Sequence, residues 1–254
     1  MKAPINLIGR ANAVLQVVSA SEPLGVSTTE AALGAGLARP TAHRILVALQ
    51  AEGLLDRNDL GVWVLGPEIY LLGSVAAGRY DVTALAQPVV RQLSVASAES
   101  AFFSARRGDE TVCLIREDGS FPVRSHVLRE GIRFPLGCVS AGMAILAYLP
   151  PGYVDDLLRR IDLTMEFGPS FAEQAVRERI GKTRQVGYAV NPGLVVPGSW
   201  GLSAAVFDAA GEPRWALTLT GIEQRFTSVR QKELGEMLLR AAHDLGDAIR
   251  RRPS

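Results

Sequence analysis

Cysteine is scarce in this chain: Cys113 and Cys138 are the whole complement of 254 residues, far apart and outside any Cys-x-x-Cys pairing. That excludes a disulfide framework or a cysteine-based zinc site and suits a reducing cytoplasm. Histidine is equally thin. His43, His126 and His243 are widely separated, with no acid or cysteine at ligand spacing, so no metal is expected. Excess charge is also missing, because 27 Lys and Arg face 26 Asp and Glu, and the net +1 gives no long-range pull on charged partners. Apolar runs are broken by Arg, Asp, Gly or Pro well short of the ~20 residues that cross a bilayer, and Met1-Lys-Ala-Pro lacks the apolar core of a secretory signal. The expected location is the cytoplasm, without membrane contact.

Catalytic signatures are missing as well. There is no P-loop. Pro197-Gly-Ser-Trp-Gly201 lacks the strand-then-helix setting that exposes a nucleophilic serine, and Gly34-Ala-Gly36 lacks the third glycine and the preceding strand of a dinucleotide loop. No catalytic residue and no cofactor are expected, and the protein is read as not an enzyme. What remains is ordinary globular composition, 48% hydrophobic and 21% charged, in a chain long enough for two domains.

The first 66 residues read as a winged helix-turn-helix. Ile8, Val14, Leu15 and Val18 form the apolar stripe of a helix over roughly 6–20. Ser27 and Glu30 have the spacing of a capping box, which starts a second helix near Thr28. Gly34 and Gly36 end it, and Pro40 suits the first turn of a third. Along that third helix Ala42, Ile45, Leu46 and Leu49 recur at helical spacing and face a core, leaving Thr41, His43 and Arg44 outward. Two short apolar runs around Asn58-Asp-Leu-Gly61 read as a β-hairpin wing with Arg57 toward its tip. An α-helix fits the major groove of B-DNA, so Arg39, Thr41, His43, Arg44 and Arg57 are the candidate DNA contacts. The module as a whole is not basic: Lys2, Arg10, Arg39, Arg44 and Arg57 are balanced by Glu22, Glu30, Glu52, Asp56 and Asp59, so any positive field is local.

Residues 67–81 read as a helical linker, and 82–254 as a second, α+β domain. Strands are expected at Ala101–Arg106, Thr111–Arg116, Pro122–Val127, Leu202–Phe207 and Trp215–Thr220. Helices are expected at Val139–Leu149, Val154–Arg159 and Phe171–Gln185, and from about Thr227 or Ser228 to Arg250. Strands interrupted by helices and then closed by strands describe an antiparallel sheet with flanking helices.

In order and spacing, Thr29-Glu-Ala-Ala, Gly36-Leu, Thr41-Ala-His-Arg-Ile-Leu, Glu52-Gly and Val64-Leu-Gly-Pro resemble the first domain of the IclR family of bacterial transcriptional regulators. In the second domain the resemblance rests on Arg133-Phe-Pro-Leu, Ser140-Ala-Gly-Met-Ala-Ile-Leu-Ala, Gly187-Tyr, Ala204-Ala-Val-Phe-Asp, Leu217-Thr-Leu-Thr-Gly and Arg225-Phe. It implies a GAF-like effector-binding domain, double-stranded operator DNA as partner, a small carboxylate effector, and a homodimer that pairs further into a tetramer, acting as repressor or activator. Carried over by position, the effector contacts fall on Ser140, Ala141, Gly142, Asn191, Ser199, Gly201, Thr218 and Thr220. Backbone N–H groups where the Val139 helix begins suit a carboxylate, and Thr218 and Thr220 alternate onto one face of a strand.

The chain departs from the family pattern at several of these places. Met143 stands where relatives commonly carry Lys, Asn191 where they often carry an acid, Gly201 where Cys is usual, and Pro40 where many have Ser. A neutral, open pocket is expected to suit an aromatic or medium-chain carboxylate. Two other readings stay open on sequence, an enzyme built on the C-terminal sheet and a winged-helix scaffold that binds protein.

Overall fold

A computed structural model of the protein describes residues 6–77, 82–125 and 127–251. The chain divides into two compact units, Met1–Tyr80 and Asp81–Ser254.

In the first unit, helix α1 (Leu7–Ala20) opens where the Asn6 side chain accepts from Gly9 N at 2.7 Å. Helix α2 (Thr28–Gly34) carries the expected capping box: Glu30 N donates to Ser27 Oγ at 3.2 Å, and Ser27 N donates to Glu30 Oε2 at 2.9 Å. Gly36, at φ +64°, makes the left-handed step into helix α3 (Arg39–Ala51). Strands β1 (Leu55–Arg57) and β2 (Trp63–Leu65) pair antiparallel as the wing, and helix α4 (Pro67–Ala77) follows within the same unit. Val14, Val18, Ala31, Ile45, Leu46, Leu49, Leu55 and Trp63 close a single core between these elements. Trp63 Nε1 donates to Thr28 Oγ1 at 2.9 Å, which ties the wing to the start of α2. Residues 78–81, the end of the expected linker, lie outside the described residues.

The second unit is a six-stranded antiparallel sheet in the order β5-β4-β3-β8-β7-β6. In chain order its elements are α5 (Val82–Ser97), β3 (Ser100–Arg107), β4 (Glu110–Glu117), β5 (Arg133–Pro135), α6 (Ser140–Leu146), α7 (Pro151–Arg160), α8 (Thr164–Phe167), α9 (Glu173–Val186), β6 (Ala189–Pro192), β7 (Ser199–Phe207), β8 (Pro213–Ile222) and α10 (Ser228–Arg250). The two-residue period of the strands sorts the sheet into two cores. Leu202, Ala204, Val206, Leu217 and Leu219 pack with α5 and α10, while Ala189, Ala205 and Ala216 pack with α6, α7 and α9.

One expectation needs correcting. The segment Pro122–Val127 is not a strand in any of its described residues, and the partner of β4 at that edge is β5, Val112 facing Arg133 and Glu110 facing Pro135. The backbone of the earlier segment is held by side chains instead: Arg225 Nη2 donates to Val123 O at 3.1 Å, and the Ser125 and Ser199 hydroxyls lie 2.6 Å apart. Strand β6, which no expectation covered, pairs with β7 so that Asn191 faces Gly201.

Candidate functional site

The outward face of α3 carries the first group of candidates. Ala42, Ile45, Leu46 and Leu49 turn into the core, so Arg39, His43 and Arg44 are exposed and Thr41 is half-buried. Val47, also exposed, extends the same face by a turn, a position the sequence reading passed over because a valine at helical spacing reads as core. The helix contains no acidic residue, and two of its cations lie in its first turns. Cations there oppose the positive end of the helix dipole, so the arrangement is unfavourable in isolation and becomes favourable against an anion such as a phosphate. Arg44 is held only lightly, its Nε 3.4 Å from Pro40 O. Arg57 folds back on the wing, with Nη1 3.3 Å from Gly61 O and its guanidinium 4.2 Å from the centre of the Trp63 ring, while remaining exposed.

The second group lies on the α6 side of the sheet. Parity along β7 places Ser199, Gly201 and Ser203 on the face that meets α6, and parity along β8 adds Thr218 and Thr220. A cavity of about 20 Å³, space for one or two waters, is lined by Ser140, Asn191, Ser199, Gly201 and Thr220, with Val127, Leu128, Val139, Val195, Val196 and Trp200. Ala141, Gly142 and Thr218 are buried beside it but are not among its walls. Among the described residues no charged side chain lines it.

Its polar groups are mostly engaged with one another. Asn191 Nδ2 donates to Cys138 O at 3.0 Å, and Asn191 Oδ1 accepts from Leu194 N at 2.9 Å, so this amide fixes the β6–β7 loop to the residues preceding α6. Ser203 Oγ lies 2.9 Å from Ser140 Oγ and 2.7 Å from Thr218 Oγ1. Thr220 Oγ1 is buried without a hydrogen-bond partner. Ser203 is not among the residues expected from the sequence.

Among the described residues no hydroxyl of this group is hydrogen-bonded to a histidine or carboxylate that would activate it. Burial pushes both thiols, Cys113 and Cys138, up to about 12, which leaves them un-ionised and unreactive at neutral pH. His43 and His243 sit on α3 and α10, His126 lies outside the described residues, and no metal-ligating cluster occurs among the described residues. No described helix is long and apolar enough to cross a membrane. The arrangement suits reversible binding.

Comparison with known proteins agrees with both halves of this description. Residues 8–59 match the model of the IclR helix-turn-helix domain, and residues 75–247 match that of the bacterial transcriptional regulator IclR C-terminal region. The chain is 28% identical over 226 residues to the transcriptional repressor IclR of Escherichia coli, covering 87% of this chain and 81% of that protein. It is 27% identical over 243 residues to the HTH-type transcriptional regulator BhcR of Paracoccus denitrificans, covering 95% and 86%. A crystal structure of an IclR homologue from Microbacterium hydrocarbonoxydans complexed with 4-hydroxybenzoate shares the fold at TM-score 0.76 and 21% identity, covering 96% and 99%. The Thermotoga maritima IclR structure does so at TM-score 0.74 and 21% identity, with the same coverage. These relatives are regulators and not enzymes. The helix-turn-helix, the antiparallel sheet domain and a matched C-terminal model that spans most of the length lead to one assignment: the chain belongs to the IclR family of bacterial transcriptional regulators.

Proposed function

We propose that the chain is a cytoplasmic regulator that grips operator DNA through α3 and the wing, and that a small organic acid bound beside α6, β7 and β8 controls this grip. The observation that carries the first part is the exposure of Arg39, His43 and Arg44 on one face of α3. Arg44 and Arg39 serve phosphates, His43 and Thr41 reach base edges, Val47 meets a thymine methyl, and Arg57 reaches the backbone from the wing. Support for the second part is the hydroxyl-lined, uncharged cavity, together with the 4-hydroxybenzoate held by the Microbacterium homologue.

The acting species on DNA is a homodimer, with dimers pairing into tetramers. Tyr70, Leu71, Leu72 and Val75 leave α4 with exposed apolar surface that a second copy would cover. Two recognition helices then meet half-sites about one helical turn, roughly 34 Å, apart. The effector acts by favouring one of two separations of those helices, to the extent that it binds one state more tightly. Residues 67–81 serve as the linker between the DNA-binding domain, 1–66, and the effector domain, 82–254.

Fluorescence anisotropy on DNA from upstream of the gene, with and without each member of an organic-acid panel, tests this reading. At least one acid is expected to shift operator affinity about fivefold or more. Operator affinity that stays the same under saturating concentrations of every acid overturns effector control.

A further inference from the structure

Three hydroxyls stand in a row behind the cavity wall. Ser203 Oγ donates to Ser140 Oγ at 2.9 Å, and Thr218 Oγ1 lies 2.7 Å from Ser203 Oγ. A hydroxyl carries one proton. Ser203 commits its proton to Ser140, so the proton shared with Thr218 comes from Thr218, and the row runs one way, from Thr218 through Ser203 to Ser140. Ser140 receives a bond and keeps its own proton, for which no acceptor is found among the described residues; of the three, it alone lines the cavity. Ser203 and Thr218 are both 0% exposed, so neither hydroxyl exchanges its partner in the row for solvent.

The space in front of this donor depends on a missing side chain. A Cβ at Gly201 would stand 2.8 Å from Ser140 Oγ, so any larger residue there would crowd the hydroxyl that closes the row. Thr220 Oγ1, buried and unpartnered, belongs to another cavity-lining residue close by.

We propose that Ser203 is a specificity-determining positioning residue: with Thr218 it locks Ser140 as a hydrogen-bond donor toward the cavity, so that the site takes a carboxylate oxygen in preference to a hydroxyl on the same skeleton. The proposal rests on the cavity being the effector site. A carboxylate only accepts, and it gains a charge-assisted bond from a donor that is already polarised along the row. A ligand hydroxyl can accept the same bond, but it brings a proton that needs a partner of its own.

Calorimetric titration of the full-length protein with matched pairs tests this: benzoate and benzyl alcohol, 4-hydroxybenzoate and 4-hydroxybenzyl alcohol, hexanoate and hexanol. In at least one pair the carboxylate is expected to bind the wild-type protein at least about tenfold more tightly. Ser203→Ala then lowers carboxylate affinity roughly three- to tenfold and leaves alcohol affinity within about twofold. Thr218→Val, which keeps the shape and removes the hydroxyl, moves the ratio the same way, and Thr218→Ser restores it; melting curves confirm that each variant is folded. A ratio that survives both Ser203→Ala and Thr218→Val, whether the two affinities hold or fall together, overturns the role of Ser203 and leaves the effector cavity standing. Failure of every carboxylate to bind the wild-type protein overturns the proposal and the effector-site reading together, with DNA binding still to be judged on operator affinity.

Discussion

Arg225 closes on Glu99 through two hydrogen bonds of 2.7 Å, Nε to Oε1 and Nη2 to Oε2, joining the turn after β8 to the entrance of β3. Glu99 is 1% exposed, and Arg225 also donates to Val123 O and lies over the Phe121 ring at 4.2 Å. One guanidinium thus holds together a buried carboxylate and the segment leading to Ser125, whose hydroxyl meets that of the cavity-lining Ser199. Arg230, whose Nη2 donates to Ser97 O at 2.8 Å, braces the same corner from α10.

Removal of Arg225 leaves the buried Glu99 carboxylate with Arg230 alone, 3.7 Å away and without the paired hydrogen bonds. Arg225→Ala is therefore expected to destabilise the C-terminal unit by about 3–5 kcal/mol, and Arg225→Lys by less, since lysine keeps the charge and loses the paired geometry. Urea unfolding reads this as a lowered midpoint with an unchanged slope. A midpoint unmoved by Arg225→Ala would show that the pair contributes nothing to stability.

Asn191 gives a second stability test at the site itself. Its amide joins Cys138 O to Leu194 N, so Asn191→Ala leaves a carbonyl and an N–H in a buried setting without their partners. The cost is expected at about 1–3 kcal/mol, together with faster proteolytic cleavage in the 193–198 loop. Wild-type cleavage kinetics in the variant would mean that the loop is held by other contacts.

The thiols provide a chemical readout of two buried clusters, Cys138 in the core packed with α6, α7 and α9, and Cys113 beside Phe102 and Leu128. With burial pushing Cys113 and Cys138 up to about 12, both stay protonated at pH 8, where an unfolded cysteine is partly ionised. Alkylation by iodoacetamide at pH 8 is expected to modify neither in the native protein and both in guanidinium chloride. Rapid native labelling of either residue would place it outside the core described.

Much of the DNA-binding unit was legible because its signals are local. Ser27 and Glu30 are three residues apart, Asn58 accepts from Leu60 N and Val62 N within its own turn, and the α3 core face recurs at helical spacing. The sheet domain was less so, for reasons of distance. Pro122-Val-Arg-Ser-His-Val127 alternates like a strand, yet its partners are Arg225 and Ser199, which no window around residue 122 contains. Strand β6 ends in Asn-Pro, a turn signal, and owes its extended form to pairing with β7. Ser203 is silent in sequence because a buried serine on a strand differs from its apolar neighbours only by the bonds it makes across 63 residues to Ser140.

The account depends most on α3 lying along a duplex with Arg44 against a phosphate, and a salt series of anisotropy titrations on upstream DNA, wild type beside Arg44→Ala, tests this directly. The expected result is weaker binding by Arg44→Ala on operator and scrambled duplex alike, with the slope of log affinity against log salt shallower by about one. Unchanged affinity and unchanged slope would contradict the placement of α3 on DNA.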